Sequence, residues 1–202
     1  MVYSKAIICN MALAHVGVTA RIQDVDNENS NEAINCRLFY DHIVDLLLET
    51  CLWPFAERDF TLADVGSPPP EWAKRYKYPV DCKYAAFIKN PALRTPGTDG
   101  KIPFIVKDLH DGYGKCILTD LEDAILVGNY IVTDPNKFSS SFVQAGAMGL
   151  ASHVAMPLRV DANITKFVQA QFTNWLAEAV NFKQREQRDD PEPNSEMQTV
   201  RG

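Results

Sequence analysis

The residues best suited to nucleophilic chemistry are the serines at 139–141 and the adjacent pair Ser152 and His153. No G-x-S-x-G elbow surrounds any of these serines. Ser152 and His153 are neighbours on a predicted helix, where successive side chains point about 100° apart. We therefore predict that they form no dyad and that the chain is not an enzyme. A small hydrolase that uses Ser152, His153 or Cys82 is the alternative, and loss of a measured activity on mutating them would favour it.

Two loops contain fragments of ligand-binding motifs. Residues 97–101 are Gly-Thr-Asp-Gly-Lys, but the G-x-x-x-x-G-K phosphate loop is absent and no helical pattern follows. Asp24, Asp26 and Glu28 resemble the start of a calcium-binding EF-hand loop. However, asparagines occupy the position of its glycine and that of its bidentate glutamate. The sequence therefore predicts turns at both places, with no cofactor and no metal site.

Composition and cysteine usage indicate a folded protein with reduced thiols. A hydrophobic fraction of 46% and a charged fraction of 23% are ordinary for a folded domain. The five cysteines are odd in number and include no C-x-x-C pair, so no disulfide framework is expected. They are Cys9, Cys36, Cys51, Cys82 and Cys116.

The charge of the chain is acidic, with a net value of −6 and a pI of about 5.2. Such a chain is not expected to wrap nucleic acid through a global positive field. No apolar run approaches the ~20 residues of a membrane span, and residues 1–13 are interpreted as a helix rather than a signal peptide. We therefore expect no membrane partner.

The chain is organised around residues 29–64, which have the pattern of a long amphipathic helix, a proline stop and a strand. Asn29 is the predicted N-cap, with a glutamate three residues later as its capping-box partner. Pro54 ends the helix because it lacks an N–H group and disfavours helical geometry at Trp53. We predict that Trp53 and Phe55 are buried at the junction between helix and strand.

Three further helices are predicted, one before this segment and two near the end of the chain. The first is Lys5–His15. Asp134 and Pro135 have the pattern of an N-cap and a first-turn proline, which predicts the start of the third helix there. The fourth starts at Asp161 or Asn163 and carries an apolar stripe almost to the polar tail.

The middle of the chain changes to the two-residue alternation of β-strands. Strands are predicted around Phe60 and at 84–88, 102–107, 115–118 and 124–130. These short strands, separated by turn residues, predict an antiparallel β region.

An aromatic cluster, Trp72, Tyr76 and Tyr78, lies within this region. Aromatic rings at this density can stack bases, so a nucleic-acid module is one interpretation. The acidic chain favours a core rim or a protein interface instead, and a filter-binding titration would decide between them.

The predicted fold is α+β: a four-helix bundle with an inserted small antiparallel β region and an extended C-terminal tail. The helical bundle domain comprises residues 1–56 and 134–188, and the β-rich domain comprises residues 57–133. The tail, residues 189–202, is polar and punctuated by proline, which predicts no core of its own.

Several segments occur in an order that is characteristic of one protein family. They are residues 10–17 (Asn-Met-Ala-Leu-Ala-His-Val-Gly), residues 22–24 (Ile-Gln-Asp), Trp53-Pro54-Phe55-Ala56 and Tyr76-Lys77-Tyr78-Pro79-Val80-Asp81-Cys82. Over residues 3–188 the chain resembles the head-to-tail adaptor family of short-tailed bacteriophages, also called tail tubular protein A or tail accessory factor.

The resemblance implies a structural virion protein that forms a ring of about twelve copies below the portal. Such a ring joins the capsid to the tail and extends the DNA channel. Its partners would be the portal protein, a tail tube or nozzle protein, further copies of itself, and DNA that passes without sequence-specific binding. The protein would be made in the host cytoplasm and end up in the virion neck. A channel gatekeeper, or stopper, of the same neck is the alternative within the family.

The resemblance also implies that the C-terminal end reaches along the portal, while exposed aromatic residues supply anchors for subunit contacts. The residues assigned to portal or subunit interaction are Trp72, Tyr76, Tyr78, Gln187, Arg188, Pro191, Pro193, Met197, Val200 and Arg201.

Overall fold

The computed structural model describes residues 2–92 and 102–186, with side chains described as far as residue 177. Four α-helices lie in these ranges: α1 (Lys5–His15), α2 (Asn31–Thr50), α3 (Ser140–Val154) and α4 (Ala162–Glu186). Six strands lie between α2 and α3: β1 (Glu57–Thr61), β2 (Lys74–Lys77), β3 (Cys82–Ile88), β4 (Phe104–Asp108), β5 (Lys115–Thr119) and β6 (Ile125–Tyr130).

Helix α1 has the predicted bounds. The Ser4 side chain accepts a hydrogen bond from the backbone N–H of Ile7, which satisfies one of the donors that a helix N-terminus leaves unpaired. Gly17 follows the last turn with φ of +74°, a conformation that glycine adopts without strain.

Helix α2 begins one residue later than predicted, because its cap is Ser30 and not Asn29. The Ser30 hydroxyl accepts from the backbone N–H of Ala33 and donates to the Glu28 carboxylate at 2.6 Å. The carboxylate that completes this cap therefore precedes the helix. The predicted capping box with the glutamate at 32 is wrong, since that pattern places the cap one residue too early.

The strands form two antiparallel three-stranded sheets. In the first sheet, β6 lies between β1 and β3; in the second, β5 lies between β2 and β4. An isolated bridge between Ile88 and Ile102 joins the end of β3 to the segment before β4. A second bridge pairs Asp64 with Tyr76, so the chain after β1 continues along β2.

Two hydrophobic clusters of buried residues form the core. The larger contains residues of all four helices and of the residue 53–56 turn. Gly149 on α3 allows close packing there, because a Cβ at this position would lie 2.8 Å from the Phe172 ring of α4. The smaller cluster lies between the sheets and includes Phe60, Ile88 and Ile117.

The predicted four-helix bundle with a small β insertion is wrong. The structure is α+β with four helices and two three-stranded antiparallel sheets in the described ranges, so its β content is substantial. Helix α2 packs on α3 and also on the first sheet, where Asp45 forms a 2.8 Å ion pair with Lys83 of β3. The prediction missed β2, whose Lys-Arg-Tyr-Lys sequence lacks a clear apolar alternation.

The C-terminal helices also differ in detail from the prediction. Asp134 caps a short 3-10 turn, Pro135–Lys137, and α3 begins only after a second cap at Ser139. Helix α4 begins at Ala162, between the two predicted starts at Asp161 and Asn163, and extends to Glu186. The predicted tail, residues 189–202, lies outside the described residues.

Candidate interaction surfaces

The turn at residues 53–56, called the corner below, connects α2 to the first sheet and is anchored by aromatic rings. Trp53 is 7% exposed, stacks on Trp175 at 5.9 Å with an interplanar angle of 5°, and meets Phe142 edge-on at 4.9 Å. Its indole N–H donates to the Leu47 carbonyl at 2.8 Å. Phe55 is half-buried and packs on Phe142 at 5.0 Å. The prediction of burial is confirmed for Trp53, while Phe55 is less buried than expected.

A buried amide on β6, Asn129, ties this corner to the helices. Its side-chain N–H₂ group donates to the carbonyls of Leu48 at 2.7 Å and Cys51 at 2.6 Å. Its side-chain oxygen accepts from the backbone N–H of Trp53 at 2.9 Å. Asn129 therefore supplies hydrogen-bond partners to backbone groups at the end of α2 and in the turn that follows it. Sequence reasoning missed this residue, although a polar amide within an apolar strand pattern is a signal.

The aromatic residues assigned to subunit contact lie in different environments. Tyr76 is 3% exposed and its hydroxyl donates to the Leu121 carbonyl at 2.9 Å, so the expectation that it is an exposed anchor is wrong. It lies on β2, a strand that was not predicted, and its ring belongs to the hydrophobic cluster between the sheets. Trp72 and Tyr78 are half-buried. The other assigned residues, Gln187, Arg188, Pro191, Pro193, Met197, Val200 and Arg201, lie outside the described residues.

Exposed apolar side chains on two of the helices are the first candidates for a contact surface. On α2, Ile34 is 47% exposed and Leu38 is 68% exposed, and their spacing of four residues places them on one helical face. On α4, Ile164 is 39% exposed and Phe167 is 62% exposed, three residues apart. Large apolar groups at this exposure are typical of contact surfaces when they occur together on one face. We call these four residues the helical surface.

Strand β4 provides a second candidate surface. It pairs with β5 on one edge, and no strand in residues 2–92 and 102–186 pairs with its other edge. Ile105 is 40% exposed and Val106 is 41% exposed, so both of its faces carry accessible apolar groups. An unpaired edge with apolar side chains can accept a further strand from another chain.

A cleft of about 540 Å³ is the third candidate surface. It lies where α2, the end of β2, the start of β3 and the start of β5 come together. Its lining residues are Glu49, Lys77, Tyr78, Pro79, Val80, Cys82, Lys83, Tyr113 and Lys115. Burial, together with a hydrogen bond to the Cys82 thiol, raises the pKa of Tyr78, so its hydroxyl stays protonated at neutral pH.

Ser152 and His153 are closer than the sequence predicts. Their Oγ and Nδ1 atoms lie 3.1 Å apart, so the prediction that the side chains diverge is wrong. Both side chains turn back toward the same carbonyl, that of Gly149, at 2.7 Å and 2.9 Å. The serine hydroxyl donates its proton to this carbonyl, and Ser152 is 8% exposed. Both side chains are therefore hydrogen-bonded to the backbone of their own helix, and the serine hydroxyl is not directed at solvent as a nucleophile.

The acidic loop before α2 is held by its own hydrogen bonds. Asp24 accepts from the side chain of Asn27 and from the backbone N–H groups of residues 26 and 27, which lowers the pKa of its carboxyl. Hydrogen bonds from Ser30 and Gln23 likewise lower the pKa of Glu28. No cluster of His, Cys, Asp and Glu in the described ranges has metal-binding geometry. The loop therefore has the geometry of a helix entry.

All five cysteines are buried and none forms a disulfide. A hydrogen bond with Cys36, together with burial, raises the pKa of the Cys9 thiol. A protonated thiol at 0% exposure is a poor nucleophile, so Cys9 packs as an apolar side chain.

No helix in the described part of the chain is long and apolar enough to cross a membrane. The sequence matches no protein-family model and no curated protein.

Proposed function

We propose that the chain is a structural virion protein, the subunit of a head-to-tail adaptor ring that docks under the portal of a short-tailed bacteriophage. In this role it joins the capsid to the tail and extends the DNA channel. It has no catalytic role in the proposal. Its partners are the portal protein, a tail tube or nozzle protein and further copies of itself.

The observation that carries this proposal is that a helical region and a β region, joined by the hydrogen-bonded corner, each expose a different apolar surface. A ring of identical subunits needs two different, complementary patches on each subunit, because its contacts are heterologous. The helical surface and the outer edge of β4 supply two different apolar patches, with Leu38 at 68% and Val106 at 41% exposure. The corner supports it further, because it is the most specific segment of the family resemblance and is internally fixed.

The acidic charge suits a channel through which DNA must slide. Binding of duplex DNA by counterion release requires lysines and arginines to neutralise phosphates, and this chain has a net charge of −6. A subunit of this charge holds DNA weakly. A steep decrease in DNA affinity with salt, measured on the isolated protein, would contradict this part of the proposal.

The test is the mass of the purified protein in solution, alone and after mixing with its portal protein, by light scattering coupled to size exclusion. We expect a monomer that assembles into a ring of about twelve copies on the portal. A protein that stays monomeric and does not bind the portal would overturn the proposal.

A matched pair of variants tests which surface the ring uses. Leu38→Asp places a charge in the helical surface, where burial of an unpaired carboxylate in a contact is costly. Ile7→Asp introduces the same charge at a 42% exposed residue of α1 that belongs to neither surface. We expect Leu38→Asp to prevent assembly on the portal and Ile7→Asp to assemble normally, with both variants folded by circular dichroism. Normal assembly of Leu38→Asp would exclude the helical surface as the ring contact.

A further inference from the structure

The cleft at the junction of α2 and the two sheets combines cations with aromatic and apolar groups. Lys77, Lys83 and Lys115 line it, together with the rings of Tyr78 and Tyr113. Lys83 forms an ion pair with Asp45 at 2.8 Å. The other two lysines form no ion pair with any carboxylate in the described part of the chain, and both are exposed. In an acidic protein these lysines make a local concentration of positive charge.

The walls of the cleft are better suited to a peptide than to a compact anion. Tyr113 is 56% exposed and Val80 is 88% exposed, so apolar surface lies beside the two lysines without ion-pair partners. The Tyr113 ring is held in place by the Arg75 guanidinium, which lies 5.0 Å from the ring centroid. Fixed aromatic rings beside exposed apolar groups bind proline-rich extended segments, and lysines at the rim select acidic ones.

The chain itself contains such a segment. Residues 189–196 are Asp-Asp-Pro-Glu-Pro-Asn-Ser-Glu, with four carboxylates and two prolines in eight residues. We propose that this acidic, proline-containing segment, residues 189–196, binds in the cleft, with its carboxylates at Lys77 and Lys115 and its prolines against Tyr78 and Tyr113. The inference does not rest on the adaptor proposal, because only residues of this chain take part.

The length of the chain after α4 permits this contact. Helix α4 ends at Glu186, and residue 196 is ten residues further on. Ten extended residues span about 35 Å. A fold of this size has a radius of gyration of about 16 Å, so the segment can reach a large part of the surface.

The Glu49 carboxylate in the cleft lining favours a peptide over nucleic acid. A phosphate backbone presents a charge at every nucleotide and would meet this carboxylate unfavourably. A peptide with charges separated by proline and asparagine can place a neutral residue there. Duplex DNA is therefore the competing occupant that the experiment must exclude.

The first experiment is zero-length carbodiimide cross-linking of the full-length protein, followed by mass-spectrometric mapping of the linked peptides. We expect Lys77 and Lys115 to link to carboxylates in residues 189–196, with a yield that decreases as salt is added, since exposed charge pairs are screened. Lys137, which is exposed but does not line the cleft, is the internal control. Equal linkage of Lys137, or no linkage at the two cleft lysines, would overturn the proposal.

The second experiment measures affinity. A variant with Asp189→Asn, Asp190→Asn, Glu192→Gln and Glu196→Gln keeps the full chain but removes the charge of its own segment. A labelled synthetic peptide of residues 187–202 should bind this variant, and Lys115→Glu in the same background should weaken binding by about tenfold or more. Lys137→Glu should leave the affinity unchanged. A peptide with the same four amides should bind at least about tenfold more weakly.

Two results would overturn the proposal. One is equal binding of the acidic and amide peptides, which would show that charge plays no part. The other is tight binding of a duplex oligonucleotide, if Lys115→Glu abolishes that binding and leaves peptide binding unchanged. This result would assign the cleft to DNA. Neither result bears on assembly with the portal, so failure here is distinguishable from failure of the adaptor proposal.

Discussion

The helical region and the β region of this protein are stabilised in different ways. Among the residues that the structure describes, the helical cluster contains twenty-eight buried residues and the cluster between the sheets contains eight. A small hydrophobic cluster leaves a larger share of its residues at the surface and contributes less free energy of folding. The β region therefore depends more strongly on specific polar contacts and on its attachment to the helices.

Arg75 on β2 is the clearest example of such a polar contact. Its guanidinium is 5% exposed and donates to the Asp111 carboxylate at 2.8 Å and to the Cys116 sulfur at 3.4 Å. These bonds fix the hairpin between β4 and β5 to the neighbouring strand. We therefore expect substitutions at the junction to destabilise both regions. Within the sheets, the effect of a substitution on stability should depend on whether it crowds the backbone or removes a charge.

The largest expected effect is that of Trp53→Ala at the corner. The substitution removes a buried indole that stacks on Trp175 and leaves the Leu47 carbonyl without its donor. We expect a loss of about 3–5 kcal/mol in the free energy of unfolding, measured by urea denaturation. Trp72→Ala, at a half-buried site in the β region, should cost less. A loss below about 1 kcal/mol for Trp53→Ala would mean that the corner does not join the two regions.

The local pattern of the corner could be predicted from sequence, and its connection to the sheet could not. Pro54 allows only a helix stop before it, and the aromatic residues around it predict burial. The partner that completes the stop, Asn129, lies 76 residues away from Trp53 in sequence. No local pattern indicates such a pairing, because the two residues meet only when the folded topology brings their segments together. The same limit explains why β2 was missed, since its contacts with β5 decide its conformation more than its own residues do.

The second prediction compares the tolerance of the two regions to an added methyl group. Gly128 lies on β6, the central strand, and a Cβ there would lie 2.2 Å from the Tyr84 carbonyl oxygen. A backbone atom cannot rotate away, so Gly128→Ala should destabilise the fold by about 3 kcal/mol. Gly146 on α3 is the control, because the nearest atom to its added Cβ is 3.8 Å away.

Gly146→Ala should stabilise the protein by about 0.5–1 kcal/mol, since alanine is the better helix former and no clash opposes it. Urea denaturation of both variants measures whether each substitution lowers or raises the free energy of unfolding. Equal effects at the two glycines would mean that the central strand has more room than its contact with the Tyr84 carbonyl indicates.

The third prediction concerns the polar connection between β6 and α2. Asn129→Ala removes three buried hydrogen bonds, two of them to the carbonyls of Leu48 and Cys51. We expect a loss of about 2 kcal/mol in the free energy of unfolding, because hydrogen bonds lost in a buried site are not replaced by bonds to water. Asn136→Ala, at an exposed asparagine, should stay within about 0.5 kcal/mol of the parent protein. An effect of Asn129→Ala as small as that of the control would show that the attachment is purely apolar.

The candidate surfaces were less predictable than the elements that carry them. The aromatic residues at 72–78 indicate an interface by composition, yet Tyr76 is buried because strand pairing determines which side of β2 it faces. Leu38 lies on the face of α2 opposite its buried residues, so the helical period alone indicates that its side chain is exposed. The burial of Tyr76 depends on the assembled sheets, so a local pattern cannot assign it.

The smallest expected effect is a difference in acid sensitivity between the two regions. The Arg75 guanidinium holds the pKa of the Asp111 carboxyl below its usual range. A carboxyl with a lowered folded-state pKa stabilises the fold above its unfolded value of about 3.9, and this contribution is lost as the pH falls through the folded pKa. Asp111→Asn should therefore reduce the acid sensitivity of the β region below about pH 4.

The three tryptophans allow this effect to be located. Trp72 reports on the β region, while Trp53 and Trp175 report on the helical core. A Trp53→Phe, Trp175→Phe background isolates the signal of Trp72, and Glu71→Gln supplies an exposed carboxyl control on the same segment. Asp111→Asn should flatten the acid transition seen by Trp72, and Glu71→Gln should leave it unchanged. An unchanged transition in Asp111→Asn would mean that the β region is held by its apolar cluster alone, which would remove the distinction between the two regions.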